Sequence, residues 1–401
     1  MNGGLSMVEM KSGYKMTEVG VIPEDWEVKE FNETFSVIPN NSLSRDYLNA
    51  QAGEYHDIHY GDVLIKYGAL LDAGDTEIPF INKAITDKWV NRRIVTEGDI
   101  IMADTAEDNT VGKCSEVINV NHKKIVSGLH TFWLHPNEGL FEKGFLGYFM
   151  NHSLYHNQLL PLIHGTKVSS VSKNEILGTR VLVPLKNEQT AIATALSDVD
   201  SLISALTKKI EKKKAIKQGL MQQLLTGKKR LPGFCGDWIK IGDVDSSAKY
   251  IFRTNEQIIE SGIQYSRFVH SGDLLLSNSM SFGRPYILKT EGCIHDGWLV
   301  IQNYDKYFDK EFLYYLLGSD EVLKQYKSLA AGSSVLNLNK DIVGKVVLYF
   351  PPSISEQTAI SNILSDCDSE IAALEEKRDK YKEIKQGMMQ QLLTGKIRLI
   401  K

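Results

Sequence analysis

The chain carries the same 44-residue segment twice, and this repeat limits the folds that the chain can adopt. Residues 188–231 and 356–399 align without a gap at a constant offset of 168, and 30 of the 44 positions are identical. A duplicated segment predicts a duplicated structural unit. The segments that precede the two copies are not close copies of each other. The predicted order is therefore variable domain, helix, variable domain, helix.

Both copies of the segment are predicted to be helical. Ser197 and Asp198 in the first copy offer side-chain oxygens that could cap a helix, and Ser365 and Asp366 do so in the second. Residues with high helix propensity follow in both copies. We therefore predict a helix, a kink at these residues and a second, longer helix.

The apolar residues after the predicted kink recur at alternating steps of four and three, which is typical of a coiled coil. From 200 to 225 the helix would have 26 residues and a length of about 39 Å. A lone helix that exposes such a stripe is unstable in water, so the two copies are predicted to pair. The predicted seam consists of Ile203, Leu206, Ile210, Leu220 and Leu224 in the first copy and Ile371, Leu374, Tyr381, Met388 and Leu392 in the second.

The charges beside this stripe differ between the two copies. The first copy is rich in lysine at 208–217, whereas the second carries Glu370, Glu375 and Glu376. Opposite charges that flank a seam favour pairing of the two helices. A solvated lysine face without a partner remains the alternative.

The repeat divides the chain into two variable domains and two helical regions. A flexible N-terminus is expected at 1–16. Within the variable domains, EGDIIMAD (97–104) and SGDLLLSN (271–278) are predicted strands, each entered through a Gly-Asp turn. The predicted parts are 1–186 for the first variable domain, 187–231 for the first helical region, 232–353 for the second variable domain and 354–401 for the second helical region.

Composition indicates a globular protein without a membrane span. No stretch approaches the roughly 18 to 20 apolar residues that cross a bilayer. The four cysteines lie far apart and form no CxxC pair, which is typical of a reducing compartment and leads us to expect a cytoplasmic protein. The net charge is −4, and residues 1–186 alone carry 17 basic and 24 acidic groups. Nucleic acid would therefore have to bind local basic patches.

The sequence lacks the motifs of common catalytic sites. We find no GxxxxGK[ST] loop, no GxGxxG after a strand and no Asp/Asn-Pro-Pro-aromatic signature. His152 and His156 are four residues apart, but no glutamate completes an HExxH motif, so we interpret them as structural. His295 and Asp296 have no recognisable nucleophile nearby. The sequence therefore predicts neither a catalytic residue nor a metal site.

Two polar loops, 164–178 and 331–344, are candidates for nucleic-acid contact. They combine hydroxyl and amide donors with a lysine, and such side chains contact phosphates and base edges. The turn after the second Gly-Asp strand has a similar composition. An ordinary helix-to-strand connection and a polar turn remain the alternatives. The candidate DNA-binding residues are Lys167, Ser169, Ser170, Lys173, Asn278, Ser279, Ser281, Arg284, Ser333, Ser334, Asn337 and Lys340.

The repeated pattern EQTAI…LSD.D..I..L…IKQG.MQQLLTGK.RL, with IPEDW near the start of the first domain and LPGF.GDW at the start of the second, resembles the specificity subunit of type I restriction-modification systems. The resemblance covers nearly the whole chain after about Thr17. It implies an α+β fold in which two α/β target recognition domains are separated by two long helices. These helices are expected to form an antiparallel coiled coil, with approximate internal twofold pseudosymmetry.

The resemblance also implies a function and a set of partners. Each domain is expected to read one half of a bipartite, gapped target in double-stranded DNA, while the coiled coil sets the spacing and docks two methyltransferase subunits. Restriction subunits join them in the full complex. Methylation and cleavage are expected in these partners, so the chain itself should bind no cofactor, and S-adenosylmethionine, ATP and Mg are expected on partner subunits.

Two other functions remain open at this point. The first is a coiled-coil assembly scaffold that bridges protein partners without reading DNA sequence. The second is a methyltransferase with its own catalytic domain, which the missing signature opposes.

Overall fold

The structure is a computed structural model. It describes residues 12–87, 92–165, 168–226, 231, 249–251, 267–278, 282–294, 297–331 and 337–400. The chain separates into two compact units, one formed by Met1–Ser204 with Asp379–Lys401 and the other by Ala205–Arg378. These units differ from the four-part division of the sequence because each takes part of both repeated segments.

The first unit combines short strands with short helices. Its helices are α1 (Phe31–Thr34), α2 (Tyr60–Ile65), α3 (Lys83–Thr86), α4 (Phe145–Met150), α5 (Ser153–Leu159) and α6 (Lys173–Ile176). Its strands are β1 (Tyr14–Thr17), β2 (Gly20–Pro23), β3 (Glu27–Glu30), β4 (Phe35–Ile38), β5 (Leu48–Asn49), β6 (Tyr55–Ile58), β7 (Leu70–Asp72), β8 (Phe80–Ile81), β9 (Ile100–Ala103), β10 (Thr105–Ala106), β11 (Cys114–Ile118), β12 (Lys124–Ser127), β13 (Thr131–Pro136), β14 (Ser169–Ser170) and β15 (Arg180–Val183).

Two sheets organise this unit. The larger sheet has the order β4-β13-β9-β11-β7, so β9 is its central strand, and the second has the order β12-β6-β8-β5. Strands β6 and β12 are parallel, and their carboxyl ends therefore lie at the same edge. The aromatic side chains of Trp26, Tyr148 and Tyr155 are fully buried in the main core.

The second unit repeats part of this arrangement. Its main sheet has four strands, with the predicted Gly-Asp strand between its two antiparallel neighbours. Its strands are β16 (Tyr250–Ile251), β17 (Arg267–Val269), β18 (Leu274–Ser277), β19 (Pro285–Leu288), β20 (Gly292–Ile294) and β21 (Trp298–Ile301). Its helices are α8 (Lys310–Leu317), α9 (Asp320–Ala330) and α10 (Lys340–Val343).

Both predicted Gly-Asp strands are confirmed. Gly98 and Gly272 have φ angles of +87° and +100°, a conformation that glycine adopts without the steric cost of a Cβ. The carboxylate of Asp99 then accepts a hydrogen bond from the amide of Thr96 (2.8 Å), and Asp273 accepts one from His270 (2.8 Å). The same turn therefore leads into β9 and into β18.

Two long helices follow the variable domains: α7 (Lys186–Leu224) and α11 (Ile354–Leu392), each with 39 residues. The predicted kink is wrong because each helix continues through it. The hydroxyl of Ser197 donates to the carbonyl of Thr194 inside the helix and caps nothing. At 1.5 Å per residue each helix is about 58 Å long, compared with about 39 Å expected from the seam alone.

Ion pairs show that the two helices run antiparallel in the second unit. In the second unit, Lys217 contacts Asp368 (2.5 Å), whereas Lys214, one turn earlier, contacts Glu375 (2.6 Å). Lys213 contacts Glu370 (2.7 Å). These three lysines therefore have acidic partners on the second helix, which excludes a purely solvated face for them.

A Tyr-Asp-Lys cluster occurs at equivalent positions in the two units. In the first unit, Asp200 accepts hydrogen bonds from the hydroxyl of Tyr148 (2.8 Å) and the ammonium of Lys385 (2.6 Å). In the second, Asp368 accepts from Tyr315 (2.8 Å) and from Lys217 (2.5 Å). Each lysine also lies over the tyrosine ring, 5.1 Å and 5.3 Å from the ring centres. The repeat thus preserves a polar link between the helix pair and each domain.

The predicted seam residues differ in burial. Leu206, Ile210 and Ile371 are buried on the helices. Leu224 and Leu392 are also buried, but they belong to the cores of the second and first units, respectively. The remaining predicted residues are half-buried: Ile203, Leu220, Leu374, Tyr381 and Met388.

The predicted flexible N-terminus at 1–16 is wrong for the part that the structure describes. Tyr14–Thr17 forms β1, which pairs with β2. The hydroxyl of Tyr14 donates to the carbonyl of Gly395 (2.7 Å). The beginning and the end of the described chain are therefore packed together in the first unit.

Candidate nucleic-acid interface

Three chain segments meet at Asp104, the residue that follows β9. Its amide donates to the carbonyl of His130 (3.2 Å), and its carbonyl accepts from the amide of Val171 (3.0 Å). Its carboxylate Oδ1 accepts from the hydroxyl of Thr105 (2.7 Å) and lies 3.3 Å from Nδ1 of His130. These contacts hold Asp104 at the end of the central strand while its side chain remains 23% exposed.

The second unit contains the same backbone junction at Asn278, which follows β18. The amide of Asn278 donates to the carbonyl of Gly297 (3.1 Å), and its carbonyl accepts from the amide of Leu338 (2.8 Å). Leu338 is buried, as Val171 is in the first unit. Asp104 and Asn278 therefore occupy structurally equivalent positions that carry different side chains.

The hairpins that begin at these junctions also end alike. Gly112 and Gly283 have φ angles of +87° and +74°, so a substitution at either position would strain the backbone. The residues that follow them, Lys113 and Arg284, are therefore equivalent. The ammonium of Lys113 donates a hydrogen bond to the carbonyl of Leu64 (2.5 Å). This cation is therefore engaged within the protein.

Aromatic and basic side chains surround the first junction. Tyr60 lies edge-on to His130, with 5.4 Å between ring centres, and His59 lies 4.7 Å from Tyr60. Nη2 of Arg45 contacts Oδ1 of Asp62 at 3.0 Å, and half of the arginine side chain is exposed. His130 has a φ angle of +55°, which is uncommon outside glycine and often marks a functional site. Such a surface can contact both phosphates and base edges.

The carboxyl group of Asp57 is buried beneath this surface. Asp57 is fully buried and accepts a hydrogen bond from the amide of Asn41 (2.7 Å). Burial raises the pKa of Asp57 to about 6 and lowers the pKa of His59, because a low-dielectric environment disfavours the charged form of each group. The carboxyl group of Asp57 is therefore not accessible to a ligand at this surface.

The structure brings part of the predicted set to the two junctions. Ser169 and Ser170 form β14, which pairs with Thr105 and Ala106 beside Asp104. Asn278 occupies the second junction, and the amide of Ser277 donates to the carbonyl of Arg284 (2.9 Å). Three predicted residues are exposed near the first turns of α6 and α10: Lys173, Asn337 and Lys340. The predicted residues outside the described part of the chain are Lys167, Ser279, Ser281, Ser333 and Ser334.

Sequence reasoning did not identify Asp104, His130, Tyr60 or Arg45. The alignment of EGDIIMAD with SGDLLLSN places Asp104 opposite Asn278 and could have identified the first of them. The others come from distant segments that only the folded sheets bring together.

The comparisons with known proteins identify the family. The family described as "Type I restriction modification DNA specificity domain" matches residues 23–218 and, a second time, residues 219–386. The chain belongs to this family. The specificity subunit named for the type I restriction enzyme MjaX of Methanocaldococcus jannaschii is 24% identical over 430 residues, covering 97% of each chain. The MjaVIII specificity subunit of the same organism is 24% identical over 438 residues, covering 94% of each.

Solved structures agree with this fold. The S subunit of a type I restriction-modification system from M. genitalium superposes with a TM-score of 0.54 and 14% identity, covering 92% of this chain and 96% of that one. A chain from a structural study of assembly and conformational transition of the type I R-M system has a TM-score of 0.51 and 16% identity, covering 94% and 99%. This specificity subunit therefore has an α+β fold with two target recognition domains. Among the described residues, no helix is long and apolar enough to cross a membrane.

Proposed function

We propose that each recognition domain of this specificity subunit reads one half of a bipartite, gapped target in double-stranded DNA. The observation that carries this proposal is the pair of equivalent junctions at Asp104 and Asn278. Their backbone hydrogen bonds are the same in both domains, but their side chains differ. A preserved frame with changed polar groups is suited to reading two different half-sites, because base edges are distinguished by their donors and acceptors.

The acidic composition of the first domain is compatible with binding a polyanion. Asp57, Asp99 and Glu116 are buried. The carboxylate of Glu116 accepts hydrogen bonds from the amides of Gly144 and Gly147 (2.5 and 2.8 Å), and burial raises its pKa to about 7. These groups face the protein interior, so they repel DNA less than their number suggests.

We also propose that the two long helices dock two copies of one partner, a methyltransferase subunit. Gly219 and Gly387 are equivalent residues inside the helices, and a Cβ at either one would meet no atom within 4 Å. A glycine costs a helix about 1 kcal/mol relative to alanine, and packing within this chain does not require it. Ile216 and Ile384, one turn earlier, are 43% and 41% exposed. Close approach of a partner backbone to both sites explains the glycines and the exposed isoleucines together.

Substitution of these glycines tests the docking proposal, because it should affect the stability of the isolated subunit and its binding to the partner in opposite directions. Gly219→Ala and Gly387→Ala should stabilise the isolated subunit and weaken its binding to a type I methyltransferase subunit. Gly219→Leu should abolish binding at that site, so the measured stoichiometry should fall from two copies to one. Ala205→Leu, at another exposed position of the same helix, is the matched control. Unchanged binding by Gly219→Leu would contradict the proposal.

The antiparallel helices are proposed to set the gap between the half-sites. Inserting two helical turns into both helices should lengthen the gap and leave both half-sites unchanged. The chain is further proposed to carry no catalysis of its own, with S-adenosylmethionine, ATP and Mg bound by partner subunits. Calorimetric titration of the isolated subunit with S-adenosylmethionine or ATP should therefore give no binding heat.

Methylome sequencing tests the reading of DNA directly. A host that carries this subunit and its methyltransferase partners should methylate a bipartite, gapped sequence that disappears when this chain is deleted. Exchange of the first recognition domain for that of a related subunit should change one half-site only. Methylation that does not depend on this chain would instead favour an assembly scaffold that reads no DNA.

A further inference from the structure

We infer that positions 104 and 278 determine specificity, each for one half-site, and that both bind the amino group of a base. This inference rests on the proposed DNA reading and deepens it, because it names the side chains and the base chemistry. The carboxylate of Asp104 can only accept hydrogen bonds, whereas the amide of Asn278 can donate and accept.

The equivalence of the two positions is established by several contacts. Each follows a strand inside a sheet, donates its amide to the residue before the next paired strand and accepts from a buried apolar residue. That apolar residue precedes a short helix whose first residue is Lys173 in one domain and Lys340 in the other. Both lysines are exposed, so each junction lies beside a cation that can hold a phosphate.

One carboxylate oxygen of Asp104 is held in place by the protein, and the other is available to a ligand. Its Oδ1 is engaged by Thr105 and His130, while Oδ2 has no partner among the described residues. A carboxylate close to DNA is repelled by phosphates, and it is favourable where it accepts from a base amino group, such as N4 of cytosine. The amide of an asparagine carries the acceptor and the donor that pair with N6 and N7 of adenine. Oδ1 of Asn278 is buried in the free subunit, so this pairing requires the amide to turn towards the base.

The second domain replaces His130 by Gly297 at the equivalent backbone position. Gly297 has no side chain that could orient Asn278 as His130 orients Asp104. A carboxylate needs such a donor to hold one oxygen in place, whereas an amide supplies its own donor and acceptor. The paired differences, Asp104 against Asn278 and His130 against Gly297, are expected if the two domains read different half-sites.

The test exchanges the two functional groups. Asp104→Asn and Asn278→Asp are each introduced into the full chain, and the methylomes of hosts with the complete methyltransferase complex are sequenced. Each variant should change the preferred base at one position of one half-site and leave the other half-site and the gap unchanged. Asp108→Asn and Asn303→Asp, at exposed positions in the same domains, are the matched controls and should leave the motif unchanged.

An alanine variant separates loss of recognition from loss of binding. The added carboxylate of Asn278→Asp also repels phosphates, so Asn278→Ala decides the outcome. We expect this variant to lose preference at one base pair by about 5- to 150-fold while it methylates the rest of the motif. An unchanged motif in Asn278→Ala and Asp104→Asn would overturn the inference and leave the reading of DNA intact. A parent chain with no bipartite motif would overturn the proposed function itself.

Discussion

A buried ion pair ties the end of the chain to the first recognition domain. Glu188, near the start of α7, is fully buried, and its carboxylate accepts hydrogen bonds from Nε1 of Trp26 (2.8 Å) and Nη2 of Arg398 (2.7 Å). Arg398 also contacts both carboxylate oxygens of Asp25 (3.0 and 2.9 Å). The arrangement joins residues that are more than 370 positions apart in sequence.

Replacing Arg398 by methionine should destabilise this domain. Removal of one partner leaves the buried carboxylate of Glu188 without its counter-charge, which typically costs 3–5 kcal/mol. The side chain of Arg398 is 26% exposed, so water replaces part of the lost interaction and the lower end applies. We expect the first unit to lose about 3 kcal/mol.

Hydrogen exchange followed by mass spectrometry measures this loss in each unit separately. Peptides from the core of the first unit should lose protection in Arg398→Met, while peptides around Phe312 in the second unit keep theirs. Lys396→Met, at an exposed residue nearby, should change neither. The double variant Glu188→Gln with Arg398→Met should recover part of the loss because it removes the buried charge. A loss below about 1 kcal/mol, or equal losses in both units, would refute the reasoning.

Three further outcomes follow from the structure. Leu206→Asp or Leu374→Asp should cost several kcal/mol by placing a charge between the helices, and chemical denaturation of an unaffected variant would show that the predicted seam is wrong. Burial raises the pKa of Asp57 to about 6 from an ordinary value of 3.8. Protonation of Asp57 therefore stabilises the folded state by about 3 kcal/mol below about pH 4, and this stabilisation is lost as the pH rises through 6. The difference in unfolding free energy between Asp57→Asn and the parent should therefore rise with pH across that interval; a flat difference would exclude the shifted pKa. Lys385→Met should lower protection of the first unit alone, because Asp200 loses its ammonium partner. An equal loss of protection in Lys380→Met, at an exposed residue of the same helix, would show that the loss does not come from the cluster at Asp200.

The helix pairing was predictable because its signals are local, but the continuity of each helix was not. Ser197 and Asp198 predicted a kink between two helices, yet one helix runs from Lys186 through both residues. The first turn is stabilised by distant groups: the amide of Gln189 donates to the carbonyls of Leu140 (3.1 Å) and Pro184 (2.8 Å). A serine inside a helix can satisfy its hydroxyl on the preceding turn, so a capping residue alone does not fix a boundary.

The candidate interface was predicted in part for a similar reason. Ser169 and Ser170 stand out because a run of small polar residues is visible in one segment. Tyr60 and His130 are ordinary residues in sequence, and the parallel pairing of β6 with β12 brings the turns that follow these strands together. Parallel pairing joins segments that are distant in sequence, so no local pattern reports it.

Comparison of the two copies of the repeat indicates which helix positions are constrained by pairing of the helices and which by an external partner. If the helices were retained only to pair with each other, their buried positions would be constrained most. Ile210, which is buried, is replaced by Arg378 at the equivalent position, and Leu220 by Met388. Residues 216–226, which contain the exposed Ile216, the half-buried Gly219 and the buried Leu224, are instead identical in the second copy apart from position 220. Exchange is therefore tolerated at some seam positions, whereas the surface around Ile216 and Gly219, which is proposed to fit the same partner twice, is unchanged. The divergence at Asp104 and Asn278 is the opposite case, as expected where the two ligands differ.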